Sequence, residues 1–297
     1  MNPPASVSVA DAPAAVATVR RTPSRMRRTG AATGWWLASV ALFGGLWELA
    51  WALGWADPKL LPPPHIFLHD FAAEGKFFDS STIGVAQSAP FVAVATTILA
   101  TVIRVLVGLG LAFGGSLLTG ILVTRFRVFG RLTLPMLTLL APISPIAWLP
   151  VAIFLFGIGD PPAVFMVFVG LYFVMTLATI SEINGVSSTY VNVARTMGAN
   201  RQQMLAQVVL PAVLPGLLRT LRMNLFGAWL VVLIAEAVGV GSGLGQVILL
   251  ARNTFNASLV FFTMTLIGIT GYLMDMAFQQ VQRRVLWWQP AGTGAGR

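Results

Sequence analysis

The chain has 297 residues, of which 56% are hydrophobic and only 10% charged, with a mean hydropathy of +0.79 and a net charge of +9. Soluble domains carry about 25% charged residues, so this composition indicates an integral membrane protein and excludes a water-soluble enzyme. The positive balance is almost all arginine set between apolar segments, as in cytoplasmic loops rather than on a nucleic-acid face. Cysteine is absent, which removes disulfides, thiolate metal sites and a cysteine nucleophile.

In chain order, residues 1–33 read as a disordered cytoplasmic tail rich in Ala, Val, Ser and Pro. No apolar run long enough for a cleavable signal precedes the first span. Arg20, Arg21, Arg25, Arg27 and Arg28 form a basic block that reads as a topology signal. Residues 34–54 form the first expected span, with Trp35, Trp36, Trp47 and Trp51 near its ends. Its acid, Glu48, faces either a partner helix or the outer interface. Residues 57–81 form a polar loop with an amphipathic piece (Ile66, Phe67, Phe71, Phe77 and Phe78) expected along the outer surface. His65 and His69 stand four apart but follow three prolines and have no third ligand, so no metal site is read there.

Residues 83–123 are apolar for about twice the ~20 residues a span needs. The expected reading is an outer segment up to Ile103 and a span from Val105, divided by Arg104. Gly110 and Gly114 fit the small-xxx-small pattern of close helix packing. The third span, residues 132–158, contains Pro142, Ser144, Pro145, Trp148 and Pro150. Three prolines in nine residues break a helix, because each removes a backbone donor. Broken helix in a membrane is tolerated where it is packed in protein or lines a cavity, so the translocation path is expected here. With Pro142, Ser144, Pro145 and Trp148 we group Met175 of the fourth span (162–180) and Asn224 and Glu236 of the fifth (214–238). Glu236 is either a buried acid paired with Arg104 or Arg252, or an interfacial residue. Gly239, Gly241, Gly243 and Gly245 do not have dinucleotide-fingerprint spacing. No phosphate-binding P-loop occurs anywhere, so the chain is not itself an ATPase. Residues 259–278 form the sixth span, carrying Asp275, with Arg283, Arg284, Trp287 and Trp288 closing it; residues 289–297 are a C-terminal tail.

Between the fourth and fifth spans lies a polar stretch, about 185–211. Val193, Met197, Met204 and Val208 fall at helical spacing. Gly198 interrupts, Asn200 is a good N-cap with Gln203 at N3, and Pro211 is expected to mark a boundary before the fifth span. Asn192, Val193, Ala194, Arg195, Met197, Gly198, Ala199, Leu210 and Pro211 resemble the cytoplasmic signature loop of the membrane subunits of bacterial ABC importers. The family's initial Glu-Ala is replaced by Asn192-Val193, so an apolar docking face carries over and a glutamate contact does not. Pro142 to Asp160, Ser242 to Gly245 and the Asp275-to-Trp288 ending resemble the nitrate/sulfonate/taurine subgroup, although Ala141 stands where that subgroup has arginine.

The resemblance implies an all-α, polytopic type I importer permease fold, with six transmembrane helices over 34–288 and both termini cytoplasmic. It implies cytoplasmic ABC ATPase subunits, a periplasmic substrate-binding protein and a second permease copy as partners. ATP and Mg would sit on the ATPase, and the chain would bind no cofactor, no metal and no nucleic acid, and have no catalytic residue. The expected substrate is a sulfonate, taurine or nitrate-like anion crossing the inner (plasma) membrane. On this topology every basic residue except Lys59, Lys76, Arg104 and Arg252 lies inside. Three rivals remain. An ion-gradient-driven secondary transporter would need a second broken helix. An intramembrane hydrolase would need histidine in the spans. A scaffold would bind the cytoplasmic partner without pumping.

Overall fold

The computed structural model describes residues 25–55, 57, 60–69, 71–78 and 89–288, and every regular element among them is helical. The chain divides into two units, Met1–Trp55 and Ala56–Arg297. In the first unit, α1 (Arg25–Ala52) is a single helix that starts inside the stretch assigned to the tail. Its short apolar part, Ala38–Ala52, carries an edge-to-face contact between Phe43 and Trp47 at 6.0 Å.

The second unit contains α2 (Pro64–His69), α3 (Phe71–Glu74), α4 (Pro90–Arg125), α5 (Arg127–Leu140), α6 (Leu149–Phe156), α7 (Asp160–Asn184), α8 (Ser188–Thr196), α9 (Arg201–Gln203), α10 (Leu210–Ala235), α11 (Leu244–Asn253) and α12 (Ala257–Val285). Among the described residues, four helices are long and apolar enough to cross a membrane: Pro90–Arg125, Asp160–Asn184, Arg201–Val240 and Ala257–Val285. Arg127–Leu140 and Pro145–Phe156 form a pair bent by 101° that is long and apolar enough only when taken together. The break falls where the prolines require it. Pro142 sits in the turn after α5, Pro145 opens a 3-10 turn and Pro150 lies in the first turn of α6.

Helix α4 packs most extensively on α7, which also packs on α10. The close approach uses a stripe of small residues at steps of four: Gly108, Ala112, Ser116 and Gly120 are all buried. A Cβ on Gly108 would stand 2.6 Å from Val167 Cβ, and one on Gly120 would stand 2.6 Å from Thr179 Cγ2. The expected pair, Gly110 and Gly114, has nothing within 4 Å of an added Cβ. The small-xxx-small logic holds, but on the face two residues back, about 200° round the helix.

Three further expectations are corrected. Arg104 does not divide α4, which runs unbroken for 36 residues. A charged side chain needs a partner, but it leaves the backbone ladder intact. The amphipathic piece does not merely lie on the surface, because Phe67 stacks on Phe261 at 6.1 Å and Phe78 meets Phe262 edge-on at 5.9 Å, both on α12. Pro211 does not end a helix, since residues 201–240 form one rod of 40 residues. Met204–Val209 is π-wound, and Leu210 N–H donates to Leu205 O. The wider turn ahead of Pro211 relieves the clash its ring makes with the carbonyl four residues back. Near the same helix's middle, Arg222 grips Asp275 of α12 with two parallel bonds, Nε–Oδ1 2.7 Å and Nη2–Oδ2 2.9 Å.

The glycine stripe gives a direct test. Gly108→Leu lowers the thermal unfolding midpoint in detergent, with overpacking costing about 1–3 kcal/mol. Gly110→Leu, facing open space, leaves the midpoint unchanged.

Candidate functional site

The polar turn between α7 and α10 folds as its sequence dictates. Ser187 accepts from Thr189 N–H and starts α8. Gly198 ends that helix at φ +81, a conformation glycine adopts without strain, and nothing lies within 4 Å of where a Cβ would stand. Gly198 N–H donates to Arg195 O and Ala199 N–H to Ala194 O, satisfying the last carbonyls. Asn200 and Gln203 then form the expected capping box, at 2.9 and 2.8 Å. Val193 and Met197, one turn apart, are 53% and 82% exposed and form an apolar ridge. Asn192 and Arg195 are exposed beside that ridge, Ala194 is turned inward, and Ala199, Leu210 and Pro211 are half-buried. The helical spacing that links Met204 and Val208 to Val193 and Met197 is interrupted by Gly198 and by the π-turn, so the four residues do not share one helix face.

The flanking helix ends are held close. The Glu182 carboxylate, near the end of α7, occupies the space a Cβ on Gly216 of α10 would need. The sequence signals this contact only through a glycine inside a helix.

Of the residues grouped as a path, Pro145 rests on Gly170, where a Cβ would stand 2.9 Å from its Cγ. Trp148 lies 6.4 Å from Phe173, which meets Tyr172 at 5.4 Å, and Tyr172 stacks on Phe168 at 5.1 Å. The Tyr172 hydroxyl and Thr119 Oγ1 are 2.8 Å apart. Pro142 and Ser144 are exposed in the break, Met175 is buried, and Asn224 donates to Thr220 O on its own helix. Glu236 lies twelve residues and about 18 Å along the rod from Asn224.

Glu236 is fully buried in a charge cluster at the end of the bundle opposite the polar turn. Arg104 Nη1 donates to Glu236 Oε1 at 2.6 Å and to Ser242 O at 3.3 Å. Its Nη2 donates to Ser242 Oγ at 2.7 Å and to Asp160 Oδ1 at 2.6 Å, and its Nε donates to the same Asp160 oxygen at 2.9 Å. Gly245 N–H donates to Glu236 Oε2 at 3.0 Å. Gly243 takes φ +104, and a Cβ there would run into the Glu236 carboxylate. Of the two partners considered for Glu236, Arg104 is the one found; Arg252 is exposed. Asp160 and Ser242 were missed as members, although a charged residue in a span always demands such partners. Among the described residues no group of three or more His, Asp or Glu is placed to hold a metal ion.

Comparison with known proteins follows the same lines. The family described as "Binding-protein-dependent transport system inner membrane component" matches residues 107–287. A putative ABC transporter permease of Methanocaldococcus jannaschii is 31% identical over 252 residues, covering 82% of this chain and 88% of the relative. A putative aliphatic sulfonates transport permease of Bacillus subtilis is 27% identical, covering 93% and 94%. Among solved structures, the inward-facing MetNI methionine ABC transporter has a chain that superposes with a TM-score of 0.59 at 21% identity, covering 67% of this chain and 99% of that one. That likeness concerns the fold.

The buried cluster predicts an asymmetry in stability. Glu236→Ala leaves Arg104 without its buried counter-ion and costs about 3–5 kcal/mol. Asn200→Ala, at the exposed cap, costs about 1 kcal/mol. Thermal unfolding in detergent, followed by tryptophan fluorescence, separates the two.

Proposed function

Because the chain belongs to the binding-protein-dependent transport system inner membrane component family, as a multi-pass protein of the inner membrane, we propose that it is the permease subunit of an ATP-driven importer for a small solute. The observation that carries this reading is the polar turn. It has a rigidly capped helix–glycine–helix form, an exposed Val193–Met197 ridge, and direct continuity into the 40-residue Arg201–Val240 rod. A cytoplasmic ATPase pair bound at that ridge would move the turn as it closed on ATP. The rod and α7, packed closely on each other at Glu182 and Gly216, would then carry the motion into the membrane. The chain makes and breaks no bond in the substrate; ATP and Mg belong to the partner. A periplasmic binding protein delivers the solute. Two copies of the chain form the pathway, each with six spans once α1 is counted, and both termini are cytoplasmic.

The substrate we assign is a sulfonate, taurine or nitrate-like anion, supported by the likeness to the Bacillus subtilis permease named for aliphatic sulfonates. Recognition of its charge would rest with the delivering protein. Arg104 and Arg222, two arginines within the spans, are each held by carboxylates. The same pairing speaks against an ion-gradient carrier, which needs acids free to take up and release the driving ion.

Co-expression with the neighbouring ATPase, gentle solubilisation and co-purification form the test. A complex that hydrolyses ATP, and that falls apart when Val193 and Met197 are both changed to Asp, supports the reading. A chain that never retains an ATPase in any nucleotide state defeats it. Gly198→Leu, strained at positive φ, keeps membrane insertion and abolishes ATP-driven uptake in proteoliposomes; normal uptake at normal expression would remove the turn's coupling role.

A further inference from the structure

Arg104 needs one carboxylate to neutralise it and has two. The two differ in kind. Glu236 is fully buried, and both of its oxygens are used, by Arg104 and by Gly245 N–H. Asp160 has a side chain that is 70% exposed, and both of its bonds from Arg104 converge on Oδ1. Removing Asp160 leaves Arg104 still neutralised and still bonded to Glu236 and Ser242. The fold therefore does not require the second carboxylate.

The position of Asp160 indicates what it is for. It is the first residue of α7 and follows Gly157 and Gly159, at φ +76 and +139, which join the bent α5–α6 span to α7. A Cβ at Gly157 would touch nothing within 4 Å. One backbone bond, Gly159 N–H to Gly239 O at 3.2 Å, ties this connection to the end of the rod. Beside it lies an apolar groove of about 520 Å³, lined by Leu111, Phe156, Pro161, Val164, Phe165 and Phe168, with Asp160 on its rim. The connection thus combines two glycines in the left-handed region, open space alongside and a single exposed ion pair holding it to α4.

We propose that Asp160 is a releasable latch. It is a positioning residue that fastens the Gly157–Gly159 hinge, and with it the bent span, to Arg104 in one transport state and lets go in the other. Glu236, Ser242 and Gly245 keep Arg104 in place throughout. The buried half of the cluster is the fixed post and the exposed half is the catch. The latch stands at the end of the bundle opposite the polar turn, and the Arg201–Val240 rod runs from that turn to Glu236. Movement of the rod shifts the post relative to the catch. This deepens the permease reading and rests on it for its transport role, but the catch itself is a property of this chain alone.

The chain has no cysteine, so labels can be placed at Ile158→Cys on the hinge and Leu106→Cys on α4, both exposed positions, without background. Spin-label distances are read on the full chain in lipid nanodiscs. The latch expects one narrow distance distribution with Asp160, a longer and broader one in Asp160→Asn, and recovery of the narrow one in Asp160→Glu. Identical distributions with Asp160 and with Asn overturn it. So does an Asp160→Asn unfolding midpoint lowered as far as that of Glu236→Ala, which would make Asp160 a static brace. This arm needs no ATPase, so its failure is distinct from failure of the importer reading. In the reconstituted complex with its binding protein, Asp160→Asn raises ATP hydrolysed per substrate imported several-fold, while assembly is unchanged and Asp160→Glu restores the ratio. An unchanged ratio in a complex that assembles and transports also overturns the latch.

Discussion

A guanidinium buried in a membrane bundle must have its charge and its donors met inside the protein, because lipid offers neither counter-ion nor acceptor. Arg104 is that group here. Meeting its needs draws in the first residue of α7, the end of the Arg201–Val240 rod and the turn before α11. Gly243 is glycine because the Glu236 carboxylate occupies the space of its Cβ, and Gly245 because a Cβ would strike the Leu233 carbonyl. The glycine run of residues 239–245, which has no nucleotide-binding spacing, thus finds its reason in closing a backbone around an ion pair. A second arginine, Arg222, pairs with Asp275, which also accepts from Gln279, and fixes α10 to α12 in the same manner.

The two candidate regions are built on opposite physical terms. The polar turn is held by local backbone chemistry, with a Ser cap, a positive-φ glycine and a reciprocal Asn–Gln box, and it leaves its apolar side chains exposed. The charge cluster is held by long-range pairing and leaves little of itself exposed except Asp160. A turn shaped by neighbours in sequence keeps its form while its surroundings move. A cluster assembled from residues 56 to 138 positions apart reports how four segments stand relative to one another. The first suits an element that is pushed, and the second an element that registers the push.

Much of the turn was legible in the sequence, since a cap, a capping box and a helix-ending glycine are short-range signals. The broken span was legible for the same reason, because Pro142, Pro145 and Pro150 act on their own backbone. Failures came wherever a side chain's meaning depended on what it faces. Gly110 and Gly114 have the right spacing on the wrong side of α4, and only the position of Val167 and Thr179 shows that Gly108 and Gly120 are the ones in contact. Phe67 and Phe78 looked like a surface stripe until Phe261 and Phe262 supplied partners. Pro211 read as a stop, since a sequence does not reveal that the preceding turn will widen. Glu236 read equally as an interfacial residue or as a buried acid paired with Arg104 or Arg252. The choice between them required the fold.

The π-wound turn at Met204–Val209 has one further consequence, which concerns angular phase. A hydrogen bond spanning five residues instead of four holds one extra residue in the turn, and one residue is about 100° of rotation. Everything beyond it in the rod is therefore clocked by that single insertion: the azimuth at which Arg222 points to Asp275, Gly216 to Glu182 and Glu236 to Arg104. Relaxing the turn to ordinary α-winding would rotate all three off their partners together. A second π-turn, Glu236–Val240, stands at the rod's other end, so the helix joining the polar turn to the charge cluster carries one such phase-setting insertion at each of its ends.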